Sequence, residues 1–359
     1  MKRVVLTMAA LLAACGPVKV VNGDLVAKDN EVIQDLIIDG NRDQVEERQG
    51  LPPWNLPFSG FTKHNGIVIN GRHHVTIRNV TFRNIAGFAI LVARSRHITI
   101  DHVHVQNSGS RDAQGKNNTT GGILIEEGTS DFQITNSEFD NVRGNGVWTH
   151  SMYTSPRNSL GLIAGNRFDT IGRDAIQVGH ATGVQVLENR GSRIGYPVEI
   201  VGAEPVAIDT AGNVDRSIYA RNRFREINGK CIDLDGFHDG EVRANQCANM
   251  TGYGIVMNNT NPDMQTSNIR VEGNTIDGAG FGGIFVIGGP NIVAGNRLLN
   301  LARRHEGDPL LKSGIYLGDR AERPAPARGN VIERNTITGA SICIGGSTGS
   351  NTVRTNTCQ

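Results

Sequence analysis

The chain has 359 residues, with 36 lysines and arginines against 35 aspartates and glutamates. This balance excludes the basic footprint of a nucleic-acid-binding protein and argues against a groove built for a strongly anionic polymer. Abundant glycine and scarce aromatics suit many short strands joined by tight turns rather than a helical bundle.

The N-terminus reads as a targeting segment over residues 1–15. Lys2 and Arg3 precede an apolar run from Val4 to Ala14, too short to span a bilayer. The run ends in Leu12-Ala13-Ala14-Cys15-Gly16, which resembles the lipobox of bacterial lipoproteins. That resemblance implies lipidation of Cys15, anchoring through lipid alone, and a site facing the periplasm or cell surface. An ordinary signal peptide, or a misplaced start codon, is the alternative. No later stretch is apolar enough to cross a membrane.

Residues 16–359 read as one domain. A pattern recurs through them: Gly, then Ile-x-Val, a turn, a second alternating run, then Asn-x-Phe/Ile, as in "GGILIEEGTSDFQITNSEF". Its shortest spacing, about 22 residues, is that of a β-solenoid coil. Asn79, Asn136, Asn166, Asn189, Asn222, Asn245, Asn274, Asn296, Asn335 and Asn356 are placed in one equivalent slot, with His102 where asparagine is lacking. Asparagine tolerates left-handed turns and can bond nearby backbone, so a structural ladder is expected. Period-two alternation puts Ile67, Ile90, Ile123, Val147, Ile176, Val198, Ile232, Ile255, Ile284 and Ile315 on one inward column. Phe82, Phe139, Phe168, Phe224 and Ile276 form a second, joined by Cys247 and Cys358 as core thiols. Cys231 reads as a turn residue and Cys343 as outward-facing, so no disulfide is expected.

From residue 36 onward this pattern resembles the pectate-lyase-like superfamily. The resemblance implies an all-β fold, a single-stranded right-handed parallel β-helix solenoid. It implies no single reaction, because that fold hosts lyases, hydrolases, epimerases, esterases and inert adhesins.

Segments 42–63, 109–120, 151–159, 202–215, 258–267, 303–312 and 319–329 read as loops walling the Gly-Ile-x-Val sheet. The outward residues of that sheet change along the stack. Glu126, Trp148, His150, Gln177, Glu199, Asp233 and Asp235 lie mid-groove, followed by Asn258, Phe285 and Tyr316. "GRDAIQVGH" adds Asp174 and His180, and "GKCIDLDGFHDG" adds Lys230 and His238. Two outward aspartates on one strand repel each other, which favours a functional reading. Alternate residues on a strand stand ~6.6 Å apart, compatible with the ~6.5–9.5 Å carboxyl spacing of inverting glycosidases.

Asp174-Ala-Ile-Gln-Val resembles part of the Asp-Asp-Cys-Ile-x-Ile segment of polygalacturonases. Arg173 replaces the first aspartate, and the Gly-His-Gly motif of that family is absent. Asp-Gly-Phe-His238-Asp239 is distantly similar to the Asp-Pro-His-Asp motif of mannuronan epimerases.

Three readings follow. The first is an inverting-type glycoside hydrolase on a neutral or weakly charged polysaccharide, without cofactor. Asp233 or Asp235 acts as acid or base, Asp174 or Glu199 is its partner, and the remaining outward groups bind substrate. The second is a lyase or epimerase with Ca²⁺ on Asp233, Asp235 and Glu199, and Lys230 or Arg173 as base. The third is a non-enzymatic glycan-binding envelope protein.

Overall fold

The computed structural model describes residues 17–20, 24–42, 56–111, 120–197, 204–260, 264, 266–301, 307–319 and 324–359. Within them the chain winds as an all-β parallel β-helix, each coil laying down strands that pair in parallel with the next coil. The first sheet runs through Ile67–Asn70, Ile90–Ala93, Ile123–Glu126, Val147–His150, Ile176–Val178, Val206–Asp215, Lys230–His238, Ile255–Asn258, Ile284–Val286 and Ser313–Leu317. A second sheet contains His73–Arg83, Arg96–Asp101, Ser130–Thr135 and Asn158–Ala164. A third contains Glu138–Val142, Arg167–Ile171, Arg190–Ile194, Arg223–Ile227 and Gln246–Met250.

Alternation explains the core. Ile67, Ile90, Ile123, Val147 and Ile176 are fully buried or nearly so, and Phe139 stacks on Phe168 with centroids 4.8 Å apart. Each such side chain contributes about 1.5–3 kcal/mol by leaving water. The recurrent glycine before the first-sheet strand has a steric cause. A Cβ on Gly146 would stand 2.5 Å from the Ala175 carbonyl oxygen, and one on Gly254 2.5 Å from that of Gly283.

Two expectations about the first sheet are corrected. The inward column passes from Ile176 to Ile208 and then Ile232. Ile208 therefore supplies that coil's inward residue, and Val198, named for it, lies outside the described residues. Segment 202–215, read as a loop, carries a strand because Val-Ala-Ile-Asp repeats the alternation of Lys-Cys-Ile-Asp one coil on.

The asparagine ladder runs from Asn166 through Asn189, Asn222, Asn245, Asn274, Asn296 and Asn335 to Asn356. Each amide donates to the next side-chain oxygen at 2.9–3.0 Å and also to a backbone carbonyl. Ser137 precedes Asn166 in this column. Asn79, His102 and Asn136 sit one residue earlier, with φ of 52°, 50° and 50°. The left-handed position and the ladder position are thus consecutive, and only the second is buried.

The cysteines pair, Cys231 with Cys247 and Cys343 with Cys358, at Cα separations of 6.1 and 5.8 Å. Cys231 is not at an exposed turn but inside the coil. The start of a first-sheet strand faces the third sheet of the same coil across the core, so residues 15 or 16 apart in sequence meet there.

Candidate active site

Parallel register aligns one outward slot along the first sheet: Val68, Leu91, Leu124, Trp148, Gln177, Asp209, Asp233, Val256, Phe285 and Tyr316. Its character shifts from apolar to acidic to aromatic. Asp209 was missed from the sequence, because its segment is rich in Gly, Pro and Asp and reads as loop. The signal was present in Ile208-Asp209-Thr210, which lies one coil period before Ile232-Asp233-Leu234. Glu199, named for this coil, lies outside the described residues.

Asp174, Asp209 and Asp233 interact at the upstream end of this face. Asp233 is 6% exposed; its Oδ2 accepts from Lys230 Nζ at 2.7 Å, while its Oδ1 is buried without a hydrogen-bond partner. Lys230 also reaches Glu204 at 3.6 Å. Burial works against the Lys230 ammonium, but the charge of Asp233 and its hydrogen bond outweigh it and hold the proton on. Asp174 is buried; its Oδ1 accepts from the Val206 amide at 2.8 Å, and its Oδ2 lies 3.6 Å from Arg173 Nε. Burial pushes its carboxyl up to about 6; Asp233 adds to the rise, and Arg173 opposes it. Asp209 is half-buried and accepts from Gln177 Nε2 at 2.7 Å, while Gln177 Oε1 accepts from Asn145 at 2.8 Å. Burial first, then the charges of Asp174 and Asp233, raise Asp209 well above the carboxylate range. Environments that set neighbouring carboxyls apart are how acid and base roles are divided.

One step along the strands lies a cleft of about 400 Å³, lined by Trp148, His150, His180, Arg173 and Asp235 with Phe58. The groove does not run open past this point. Phe58 packs on Trp148 at 4.9 Å and stacks on His150 at 4.3 Å. Glu126 is fully buried beneath it, accepting from the Phe58 amide and, at 2.8 Å, from that of Ser59. Glu126 therefore anchors a loop, and His150, 3.3 Å from it, is held by the same contact. His180 stands edge-on to Tyr153, and burial, then Arg157, lowers its pKa to about 4. Asp235 is tied to Thr260, accepting from its amide at 2.9 Å and its hydroxyl at 2.5 Å. It thus braces a loop and is not aligned beside Asp233.

Four other predicted residues separate from the acids. Asn258 caps the following turn through the Asn259 amide at 2.8 Å. Phe285 and Tyr316 pack together further along the slot, centroids 5.9 Å apart. His238 is in register with Asp215 past a strand irregularity, not among the groove-lining groups.

Among the described residues, two groups draw at least three potential metal-ligand atoms within 4.8 Å of one another: Glu126, Glu127 and His150, and His104, Glu138 and Asp140. Asp174, Asp209 and Asp233 do not form such a group.

The model of the right-handed β-helix region matches residues 55–215, 121–300 and 206–359. The chain belongs to the right-handed β-helix family. Among solved structures, this family member is similar to the periplasmic alginate epimerase AlgG, with 14% identity, a TM-score of 0.63, and coverage of 98% of this chain and 80% of that one. It is also similar to the GH136 lacto-N-biosidase from Eubacterium ramulus, with 11% identity and a TM-score of 0.51. That match covers 82% of this chain, which spans about half, 51%, of the lacto-N-biosidase. At these identities the likeness concerns the fold. No curated protein matches the chain.

Proposed function

We propose that this chain is an exported glycoside hydrolase that cleaves a polysaccharide laid along its first sheet. The observation that carries the reading is the pairing of Asp209 with Asp233 in one slot of adjacent coils, one carboxyl raised by burial and its acidic neighbours and the other held against Lys230. Asp209 gives its proton to the glycosidic oxygen as the bond to the anomeric carbon breaks. Asp233 attacks that carbon to form a glycosyl ester, and Asp209 then takes a proton from the water that hydrolyses it. Adjacent coils stand ~4.8 Å apart, at the short, retaining end of carboxyl spacings, ~5–5.5 Å. This replaces the inverting spacing suggested by Asp233 with Asp235. Asp174 is a positioning residue whose charge raises the Asp209 carboxyl. Phe285 and Tyr316 offer ring faces to sugars further along.

A panel of glycans assayed for new reducing ends tests the reading. Asp209→Asn and Asp233→Asn are each expected to lose about 10²–10⁴-fold in rate, and Asp235→Asn far less. Full activity in both of the first two variants would place the chemistry elsewhere.

Lys230 beside Asp233 and Arg173 beside Asp174 favour one second reading, a lyase or epimerase in which one of these cations serves at an acidified sugar proton. Unsaturated product absorbing in the ultraviolet and lost on Ca²⁺ chelation would select the lyase, and an inverted uronate centre with the chain length kept would select the epimerase. Export is supported by the two disulfides, which persist in oxidising compartments. With Cys15 lipidated, Cys15→Ser moves the protein from the membrane to the soluble fraction; retention in membranes would contradict the anchor.

A further inference from the structure

The third sheet carries a feature that glycan cleavage on the first does not use. Arg167, Arg190 and Arg223 occupy the same outward slot of three successive strands, in parallel register. Coils ~4.8 Å apart therefore stack three guanidinium groups in a row. Like charges opposed in register cost stability, so the row needs a counter-charge. Arg167 finds one in Asp169 at 3.3 Å, and Arg193 takes the other oxygen of Asp169 at 2.5 Å. Among the described residues, Arg190 and Arg223 are exposed and have no carboxylate partner. The row floors a shallow concavity of about 520 Å³ lined by five arginines and two aspartates, with Asp140 beside Arg167 and Glu226 beside Arg225 as further partners, so the uncompensated charge is that of Arg190 and Arg223. The near-neutral whole chain thus hides a local excess of positive charge.

We propose that this sheet is a second glycan site, which holds an acidic polysaccharide by its carboxylates. Arginine forks grip carboxylates bidentately. A row with one guanidinium per coil offers forks at regular intervals to the carboxylates that a uronate chain turns towards the sheet. The neighbouring positions Ser192, Gln246 and Thr275 are polar and suit sugar hydroxyls. Single-stranded nucleic acid is disfavoured, because it binds by stacking bases on aromatic rings. Here Phe168 and Phe224 face inward and are buried. The site lies on a different face from Asp209 and Asp233, so it would retain substrate or tether the protein without touching the reacting bond.

Binding of a fluorescent oligogalacturonate to the full chain at low salt tests this. Wild type should bind, and the exposed double variant Arg190→Ser/Arg223→Ser should bind at least tenfold more weakly at an unchanged thermal midpoint. Arg190→Lys/Arg223→Lys keeps the charge but loses the fork, and should fall between the two. Added salt should weaken the wild type more steeply than the serine variant. An oligothymidylate of equal charge should bind at least tenfold more weakly than the oligogalacturonate. Equal oligogalacturonate affinity in wild type and serine variant, or an oligothymidylate bound as tightly, would overturn the proposal. Because the readout is binding, it stands or falls independently of any hydrolytic activity.

Discussion

Asp174 is the residue through which pH acts most directly on this site. Burial raises its carboxyl from the ordinary 3.8 to about 6, with Asp233 adding to the rise. The folded state therefore holds this proton more tightly than the unfolded chain. That contribution to stability is complete below about pH 4 and is lost as pH rises through about 6. Asp174→Asn keeps an oxygen for the Val206 amide but has nothing to ionise. Its thermal midpoint should gain on wild type between pH 4 and pH 7, and a pH-independent difference between the two would contradict the assignment. At this scale the sequence was partly legible. Alternation placed Asp233, Gln177, Phe285 and Tyr316 on the outer face, because a strand allows only two faces. It could not show that Glu126 and Asp235 spend their oxygens on loop amides, since those partners, Phe58, Ser59 and Thr260, come from segments distant in sequence or beyond a turn. Asp209 stayed hidden because its flanking glycine and proline mimic a loop.

The coil is the element on which this fold is built, and its corners can be tested separately. Asn222 donates to the Val186 carbonyl and to Asn245, and accepts from Asn189. Asn222→Ala leaves buried amide groups unpaired and should cost about 1–3 kcal/mol, read as a lowered denaturation midpoint with the rate on substrate kept at permissive temperature. Asn136 lies one position earlier, exposed and left-handed. Asn136→Gly should be nearly neutral, since glycine adopts that conformation freely. Equal losses at the two positions would contradict the one-residue offset between turn and ladder. The disulfides belong to the same scale. Closing a loop of this length contributes about 3 kcal/mol by restricting the unfolded chain. Cys231→Ala/Cys247→Ala should show a loss of that order in chemical denaturation, and no loss would mean the thiols are unpaired in the native protein. The repeat was legible because every coil restates it. The pairing of cysteines was not, because it depends on the cross-section of the helix and not on spacing along the chain.

At the scale of the whole molecule, a stack of similar coils gives a rigid rod with distinct faces, and function differs by face. The first sheet collects aspartates, the third collects arginines, and the near-neutral total conceals both. The parallel β-helix was legible from period and alternation alone, since each coil packs only on its neighbours. The extent of the open groove was not, because Phe58 arrives from a loop and folds over Leu91, Leu124 and Trp148 to close one end. This leaves the acidic slot and the aromatics beyond it as the run available to a sugar chain. A crystal structure of the Asp209→Asn variant soaked with an oligosaccharide it no longer cleaves tests that account most directly. It should show the glycosidic oxygen against residue 209 and the anomeric carbon facing Asp233, with further sugars running towards Phe285 and Tyr316. A sugar chain ordered elsewhere on the molecule, with the Asp209–Asp233 slot empty, would contradict it.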